Sequence, residues 1–315
     1  MTIHKSVMLE EAIEGLNLKN GQIAVDATLG GGGHSCEILK KIGKNGILIA
    51  IDRDEGAIGR FKHKIKDEGL DKKSENIILV KDNFANIKNI LRGLNIKKVD
   101  AVLADFGLSS DQLDDSVRGF SFNSHARLDM RMDKCQELSA YEVVNDYSEE
   151  KLNKIIREFG EEKFTRKIVG KIIKTRTDRK IETVNELVDI ILEVIPEKYK
   201  HQKIHPATRT LQAIRMEVNR ELESIEEFIQ GVVYKISAGG RLVVISFHSG
   251  EDRLVKHIFK EMAIDCDCPP DFPVCRCDRR AKIRIITKKP KIATVEELAK
   301  NPRARSAKLR IVEKI

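Results

Sequence analysis

Ile23-Ala-Val-Asp-Ala-Thr-Leu-Gly-Gly-Gly-Gly-His-Ser35 decides the fold, because a short apolar run gives way to four glycines and then to a helix-like segment. This pattern predicts a strand, a tight turn and a helix start. Glycines let the backbone take positive φ and approach a ligand closely, and the N-terminus of the following helix offers free N–H groups. The next apolar run ends in Asp52, where an acid can hydrogen-bond a ribose diol. These features predict a nucleoside-cofactor site.

Four acids end or nearly end successive apolar runs in the first third of the chain. They are Asp26, Asp52, Asp82 and Asp105. Ligands of open α/β sheets bind outside the carboxyl ends of the strands, so these acids predict one cofactor-binding edge. The alternative is that each acid caps the helix that follows it, as Asp often does.

The glycine spacing separates two cofactor classes. A dinucleotide fingerprint starting at Gly30 needs its third glycine at position 35, where Ser35 stands, and this argues against an NAD-dependent oxidoreductase. S-adenosylmethionine (SAM) has an adenosine and a ribose diol but no phosphate. Its charged amino-acid end and sulfonium suit a polar loop flanked by carboxylates. The residues therefore favour SAM.

Composition indicates a soluble globular protein of 315 residues with 41% hydrophobic content. The segment of residues 1–18 contains acids and no continuous apolar core, and no apolar run approaches the roughly 20 residues that span a bilayer. We expect a cytoplasmic protein without membrane contact, and its oligomeric state stays open. The net charge of +8 is compatible with a polyanionic partner.

The order of predicted elements indicates an interrupted domain. Strands and helices alternate from Ile23 to Asp105, which predicts parallel strands joined by crossovers. Residues 111–203 show helical periodicity alone, and strand patterns return at Gly240–Phe247. We predict an α/β fold of the class I SAM-dependent methyltransferase type, Rossmann-like with a mostly parallel sheet. Its cofactor domain comprises residues 1–110 and 205–315, and an inserted all-α domain for RNA recognition comprises residues 111–204.

Basic residues concentrate in three segments, Lys163–Lys180, Arg276–Lys291 and Asn301–Arg310. The first holds eight Lys or Arg residues against one acid, Asp178. One such run is typical of a solvated helix face. Three on one chain favour contact with nucleic-acid phosphates.

The fourth apolar run ends in Asp105-Phe-Gly-Leu108, where enzymes that methylate exocyclic amines place an acid or amide followed by a tight turn. Such a carboxylate can accept hydrogen bonds from the amine and orient its lone pair. His248 could help to position a base, or could be a satisfied loop histidine. Phe84 could stack on adenine, or could be a core phenylalanine. Leu128–Asp133 could close the pocket, or could be a surface turn with an Arg–Asp pair.

Four of the six cysteines cluster as Cys266-Asp-Cys268 and Cys275-Arg-Cys277. Four thiolates can hold a tetrahedral zinc, but structural zinc sites usually have two to four residues between paired cysteines. We therefore expect no metal in the chemistry. Whether these cysteines bind a metal, stay reduced or pair on oxidation stays open.

Motifs along nearly the whole chain are jointly specific for one family. They are His34-Ser35, Ser109-Ser-Asp-Gln112, Gly119-Phe-Ser-Phe122, Leu128-Asp-Met-Arg-Met132, His205-Pro-Ala-Thr-Arg209, Val218-Asn-Arg-Glu-Leu222, Ser246-Phe-His-Ser249, Glu251-Asp-Arg253 and Asn301-Pro-Arg-Ala-Arg-Ser-Ala-Lys-Leu-Arg310. The chain resembles the bacterial ribosomal RNA small subunit methyltransferase H family. The resemblance implies SAM-dependent methylation, in the cytoplasm, of a cytidine N4 amine in the decoding centre of 16S ribosomal RNA.

The family's cofactor pattern implies seven binding residues in this chain: Gly32, Gly33, His34, Asp52, Phe84, Asp105 and Gln112. Asp105 and His248 are the catalytic candidates. The chain departs from the family pattern at Phe106, Leu108, Arg127 and Gly250. A SAM-responsive ribosome assembly factor is the non-enzymatic alternative. The sequence leaves open whether free RNA, an assembly intermediate or the finished small subunit is the substrate.

Overall fold

The computed structural model describes residues 6–70, 76–108, 115, 117–121, 126–201, 204–266, 268 and 276–315. The chain divides into two compact units. The sheet unit comprises Met1–Gly107 and Leu222–Ile315, and the helical unit comprises Leu108–Glu221. The sheet unit is therefore discontinuous in sequence.

The described strands are β1 Ile23–Asp26, β2 Ile47–Asp52, β3 Ile77–Lys81, β4 Val99–Asp105, β5 Ile236–Ser246, β6 Ile283–Ile285, β7 Lys291–Ile292 and β8 Lys308–Lys314. The described helices are α1 Leu9–Leu16, α2 Gly33–Ile42, α3 Glu55–Asp67, α4 Ile87–Gly93, α5 Ala140–Asp146, α6 Glu149–Glu158, α7 Thr165–Asp178, α8 Val184–Val194, α9 Thr208–Asn219, α10 Glu221–Val232, α11 Ser249–Met262 and α12 Val295–Lys300. Within the described ranges, none of these helices has both the length and the apolar character that a membrane crossing requires.

All eight described strands belong to one sheet, whose order is β3-β2-β1-β4-β5-β8-β6, with β7 also paired to β8. Strands β1 to β5 pair in parallel, and β8 runs antiparallel to β5 and β6. This confirms the predicted α/β fold with a mostly parallel sheet. The strand order reverses at β1, which has β2 on one side and β4 on the other. The carboxyl ends of β1 and β4 therefore form the switch point at which such sheets bind ligands.

Both faces of the sheet are covered by helices, which explains why the central strands are apolar throughout. In β2, Leu48 and Ala50 pack into the core formed with α1, α2 and α3. Ile49 and Ile51 pack into the opposite core, formed with α4, α10 and α11. A parallel sheet buried on both faces has this continuous apolar pattern instead of alternation.

The helical unit has its own apolar core, to which α5 to α9 all contribute. Several helix starts are fixed by side-chain caps, among them Ser139 before α5 and Thr183 before α8. The unit continues to Glu221, beyond the boundary expected at residue 204. The reason is α9, which buries Leu211 and Ile214 in this core.

Candidate functional site

The glycine turn joins β1 to α2 at the switch point. Gly30 and Gly32 have φ values of +49° and +71°, a left-handed conformation that favours glycine. A Cβ atom at Gly32 would overlap the Phe61 ring, and one at Gly33 would overlap the Ser6 hydroxyl. The positive φ and the Phe61 ring therefore require glycine at position 32, whereas at position 33 the Ser6 side chain would have to move.

Asp52, at the end of β2, is tied to this turn. Its Oδ2 accepts a hydrogen bond from the Gly30 amide at 2.8 Å, and its Oδ1 accepts one from the Asp54 amide at 2.8 Å. Burial raises the pKa of Asp52, while these two amides act to lower it. A carboxylate oxygen has two acceptor sites, so each oxygen can still accept another donor. The carboxylate is thus oriented by the backbone and retains the capacity to bind a diol.

Asp26, at the end of β1, is buried and serves the protein's own structure. Its Oδ2 accepts a hydrogen bond from the Ser35 hydroxyl at 2.6 Å, and its Oδ1 accepts one from the Thr28 amide at 3.1 Å. Burial raises the pKa of Asp26 to about 6, against the lowering effect of these two donors. Ser35, which takes the place of the third fingerprint glycine, is therefore an internal partner of Asp26.

The acid after β3 also has a local structural role. Asp82 Oδ1 accepts hydrogen bonds from the Asn83 amide at 2.6 Å and from Asn86 Nδ2 at 2.7 Å. The short turn of helix that follows is capped by Asn83, whose side chain accepts a hydrogen bond from the Ala85 amide. Asp82 therefore stabilises this turn without being its cap.

Phe84 lies in an aromatic cluster of the sheet unit and is only 9% exposed. Its ring centroid is 5.4 Å from those of both Phe106 and Phe228. The guanidinium carbon of Arg53 lies 5.8 Å from the Phe84 ring centroid. Most of the ring thus packs in the core, and its contact with adenine stays a prediction.

Asp105, at the end of β4, is the least satisfied of the four acids. Its amide donates a hydrogen bond to Thr28 Oγ1 at 2.7 Å, but among the described residues its buried Oδ1 has no partner. Burial raises the pKa of the Asp105 carboxyl well above its ordinary value, and the negative charges of Asp26 and Glu251 raise it further. A buried polar atom without a partner is costly, so its presence at the switch point indicates a functional site.

His34 lies beside Asp105 and is buried in the first turn of α2. Its Nε2 is 3.1 Å from the Val7 carbonyl oxygen, and its Nδ1 is 3.8 Å from Asp105 Oδ2. A carbonyl can only accept, so Nε2 carries a proton. In the neutral ring, Nδ1 is then an acceptor that faces the Asp105 carboxyl. Of the predicted cofactor residues, the structure brings His34 and Asp105 together directly.

His248 has a structural role at the start of α11. Its Nδ1 accepts a hydrogen bond from the Glu251 amide at 3.2 Å, while Glu251 Oε2 accepts one from the Phe247 amide at 2.8 Å. His248 and Glu251 together form a capping box. This role accounts for Nδ1 alone: among the described residues the buried Nε2 of His248 has no hydrogen-bond partner, although Glu251 Oε1 lies 3.0 Å away. The satisfied-histidine alternative therefore holds for one ring nitrogen only, and a catalytic role for His248 stays a prediction. Sequence reasoning missed Glu251, although the spacing from His248 to Glu251 is that of a capping box.

Two predicted clusters fall wholly or partly outside the described residues. Gln112 and Cys275 both lie outside them, as do Ser109 and Ser110. The segment Leu128–Asp133 is described throughout, and in it Arg131 Nε and Nη2 each donate to one oxygen of Asp129, both at 2.9 Å. Burial alone would raise the pKa of Asp129, but the hydrogen bonds and charge of Arg131 outweigh it and lower the pKa. The turn alternative therefore accounts for this pair.

The cations of the basic segment Lys163–Lys180 fall into three groups: one binds backbone carbonyls, some pair with acids, and the rest are exposed. Arg176 donates to the carbonyl oxygens of Val144 and Tyr147, so it is a structural residue. Lys171, Arg179 and Lys180 each pair with an acid of the helical unit. The other four cations are exposed, and the described residues include no acid paired with them. These are Lys163, Arg166, Lys167 and Lys174.

Part of the C-terminal basic segment belongs to the sheet and binds an acid of the sheet unit. Arg310, in β8, donates from Nε to Asp252 Oδ1 at 2.7 Å and from Nη2 to Oδ2 at 3.1 Å, and Lys308 Nζ lies 3.3 Å from Oδ2. Burial alone would raise the pKa of Asp252, but the two cations outweigh it and lower the pKa. The expectation that this whole segment is open to phosphate is therefore wrong for Arg310, because β8 lies inside the sheet.

Comparisons with known proteins agree over the full length of the chain. A family model described as the MraW methylase family matches residues 1–315. A Ribosomal RNA small subunit methyltransferase H from Clostridium botulinum (strain Kyoto / Type A2) is 52% identical over 312 residues, which cover 99% of each chain. The protein of that name from Clostridioides difficile (strain 630) is 47% identical over 312 residues, again 99% of each chain. A solved rRNA methylase from Streptococcus thermophilus is 12% identical, with a TM-score of 0.44, and the match covers 100% of this chain and 99% of that one.

Proposed function

Because this chain belongs to the MraW methylase family, we propose that it methylates the N4 amine of a cytidine in the decoding centre of 16S ribosomal RNA. The general activity of the family is SAM-dependent methylation of small-subunit ribosomal RNA. Identity of 52% with a full-length ribosomal RNA small subunit methyltransferase H supports it. The N4 amine, the position in the RNA and the cytoplasmic location are our proposal.

The residues at the switch point fit SAM. When bound, SAM supplies an electrophilic methyl group on a positively charged sulfonium. Asp52 has acceptor sites left for the two ribose hydroxyls, beyond the amides it already binds. The turn at Gly32 and Gly33 brings backbone close to the same strand ends. We also assign the adenine contact to Phe84, and we keep Gln112 in the cofactor set on the family pattern.

The unpartnered Asp105 Oδ1 is the observation that carries the proposed chemistry. The lone pair of a cytosine amine is delocalised into the ring, so the amine is a weak nucleophile. An acceptor on its N–H group favours a more pyramidal nitrogen and aligns the lone pair for attack. Asp105 Oδ1 is such an acceptor. Its raised pKa also makes Asp105 a suitable holder of the proton that the amine releases.

The substrate side of the proposal rests on the helical unit. Three of its exposed cations lie on α7: Arg166, Lys167 and Lys174. Gly170 lies between them in sequence, and a Cβ atom there would meet open space. Spacings of three and four residues place side chains on one helix face. We assign this face to the RNA phosphates, with the target cytidine turned out of its stack to reach Asp105.

Single-turnover methyl transfer at saturating labelled SAM tests the role of Asp105. Asp105→Asn keeps the shape of the side chain but removes its charge and turns one acceptor into a donor. By analogy with single polar groups at other catalytic sites, we expect the transfer rate to fall about 10²- to 10³-fold. RNA binding should stay near that of the parent.

Asp67→Asn is the matched control, because Asp67 is an exposed acid at the end of α3. Nucleoside analysis of the product should find N4-methylcytidine. Transfer at the parent rate by Asp105→Asn would remove Asp105 from the mechanism. Methylation of another atom would overturn the N4 assignment, and binding without transfer by the parent would favour an assembly factor.

A further inference from the structure

Three thiols meet in the segment that connects α11 to β6 in the sheet unit. The sulfur atoms of Cys266, Cys268 and Cys277 all lie within 4.8 Å of one another. The distance between Cys266 Sγ and Cys277 Sγ is 3.6 Å. Cys266 and Cys268 are separated from Cys277 by eight or more residues in sequence, so the cluster brings together positions that are distant along the chain.

We propose that these three cysteines bind a zinc ion as thiolates. Tetrahedral zinc with bonds of about 2.3 Å to sulfur separates its thiolates by about 3.8 Å, which is close to the observed 3.6 Å. A disulfide would bring the two sulfur atoms to about 2.05 Å. The fourth coordination position is left for water or another donor.

Backbone amides already point at two of the sulfur atoms. The Cys268 amide donates to Cys266 Sγ at 3.3 Å, and the Arg276 amide donates to Cys268 Sγ at 3.3 Å. Outer hydrogen bonds of this kind orient the ligand atoms of a metal site. Three thiolates and Zn²⁺ carry one net negative charge.

The segment needs such a cross-link because its described part has little apolar packing. Its base is closed by hydrogen bonds, including one from the Lys282 amide to the Met262 carbonyl at 2.8 Å. Above that base, Ile264 is 41% exposed, and Asp265 and Cys266 are exposed as well. Ordering a chain without burying apolar surface is unfavourable. A bound metal would supply the missing stabilisation.

The one-residue spacing that argued against zinc in the sequence does not prevent this geometry. The ligand set takes Cys266 and Cys268 from one stretch of the chain and Cys277 from another, so the thiols converge although they are distant in sequence. The cluster includes none of the residues assigned to methyl transfer, and the site would be structural. Its test is therefore independent of the proposed activity.

The experiment measures metal bound to untagged, full-length, reduced protein after dialysis against buffered free Zn²⁺. We expect about one zinc per chain. The variants Cys266→Ser, Cys268→Ser and Cys277→Ser should each bind at least tenfold more weakly. Cys135→Ser is the matched control, because Cys135 is an exposed free thiol of the helical unit, and it should bind like the parent.

A second measurement does not depend on how the variants fold. Co²⁺ added to the parent protein should produce the absorption bands of tetrahedral cobalt with thiolate ligands, and Zn²⁺ should displace them. Absence of these bands together with absence of zinc from the reduced parent would overturn the proposal. Unchanged zinc content in all three loop variants would also overturn it. So would a Cys266–Cys277 disulfide in protein that binds no zinc once reduced.

Discussion

The effect of Asp26→Asn on the stability of the sheet unit should be more favourable at neutral pH than at acidic pH. Asp26 is 1% exposed, and burial raises its pKa to about 6. In the unfolded chain the pKa of an aspartate is about 3.9. Near neutral pH Asp26 therefore carries a charge that is less favourable in the native protein than in the unfolded chain. Asn keeps the shape of the side chain without titrating.

The magnitude follows from the difference between the two pKa values. Below about pH 3.9 both states are protonated and the titration contributes nothing. As the pH rises from there, the native state holds more protons than the unfolded state, so stability falls until the pH passes the native pKa of about 6. The penalty amounts to about 1 kcal/mol at pH 4.5 and about 3 kcal/mol at pH 7.5. The advantage of Asp26→Asn should therefore grow by about 2 kcal/mol over this range.

Urea unfolding that is monitored through hydrogen exchange of peptides from β1 and β4 would measure this change in stability. These peptides report on the sheet unit alone. Asp252→Asn is the control. Its cations lower the pKa of Asp252, so Asp252 stabilises the fold above the unfolded pKa and loses this effect only as the pH falls through a still lower native pKa. The free energy of unfolding that Asp252→Asn loses should therefore be the same from pH 4.5 to pH 7.5. A constant difference for Asp26→Asn as well would refute the reasoning.

Two further predictions address the cofactor and the RNA. Asp52→Ala removes the proposed acceptor of the ribose hydroxyls, so calorimetry should find SAM affinity reduced by about 1.5–3 kcal/mol, or about ten- to a hundredfold. Unchanged affinity would remove Asp52 from the cofactor site. Neutralising three exposed cations should weaken RNA binding and reduce the slope of log K against log salt by about two to three. The Gln substitutions are at Arg166, Lys167 and Lys174. A control with the acid-paired Arg179 and Lys180 changed to Gln should alter the slope little, and equal effects would refute the assignment of this face.

The sequence predicted elements whose signals are local. The apolar runs that end in Asp26, Asp52 and Asp105 are β1, β2 and β4 in the structure. Burial on both faces makes each run continuous, and a following polar residue marks its end. The boundary of the helical unit was harder to predict. The periodicity of α9 indicates that one face is buried, but it does not indicate which unit buries it.

Partners distant in sequence explain what else was missed. Arg310 belongs to a basic run, and local charge predicted contact with phosphate. Asp252, its partner, lies 58 residues away and reaches it only because β8 returns beside β5. The role of Ser35 was hidden in the same way, because its partner Asp26 precedes the glycine turn. A local sequence pattern indicates which residue type stands at a position, but it does not indicate which other group forms a hydrogen bond or ion pair with that residue.

Asp26 and Asp105, the two acids at the switch point, differ in how their charge is compensated. Asp26 has the Ser35 hydroxyl and the Thr28 amide as internal donors. Asp105 shares its surroundings with two other acids, and the described residues offer no donor to its Oδ1. An unpaired carboxyl at this position destabilises the fold more than an apolar residue would, so packing alone does not explain Asp105. The described residues offer Asp105 Oδ1 neither a cation nor an N–H donor, and the proposed reaction brings both to Asp105, as the sulfonium and the cytosine amine.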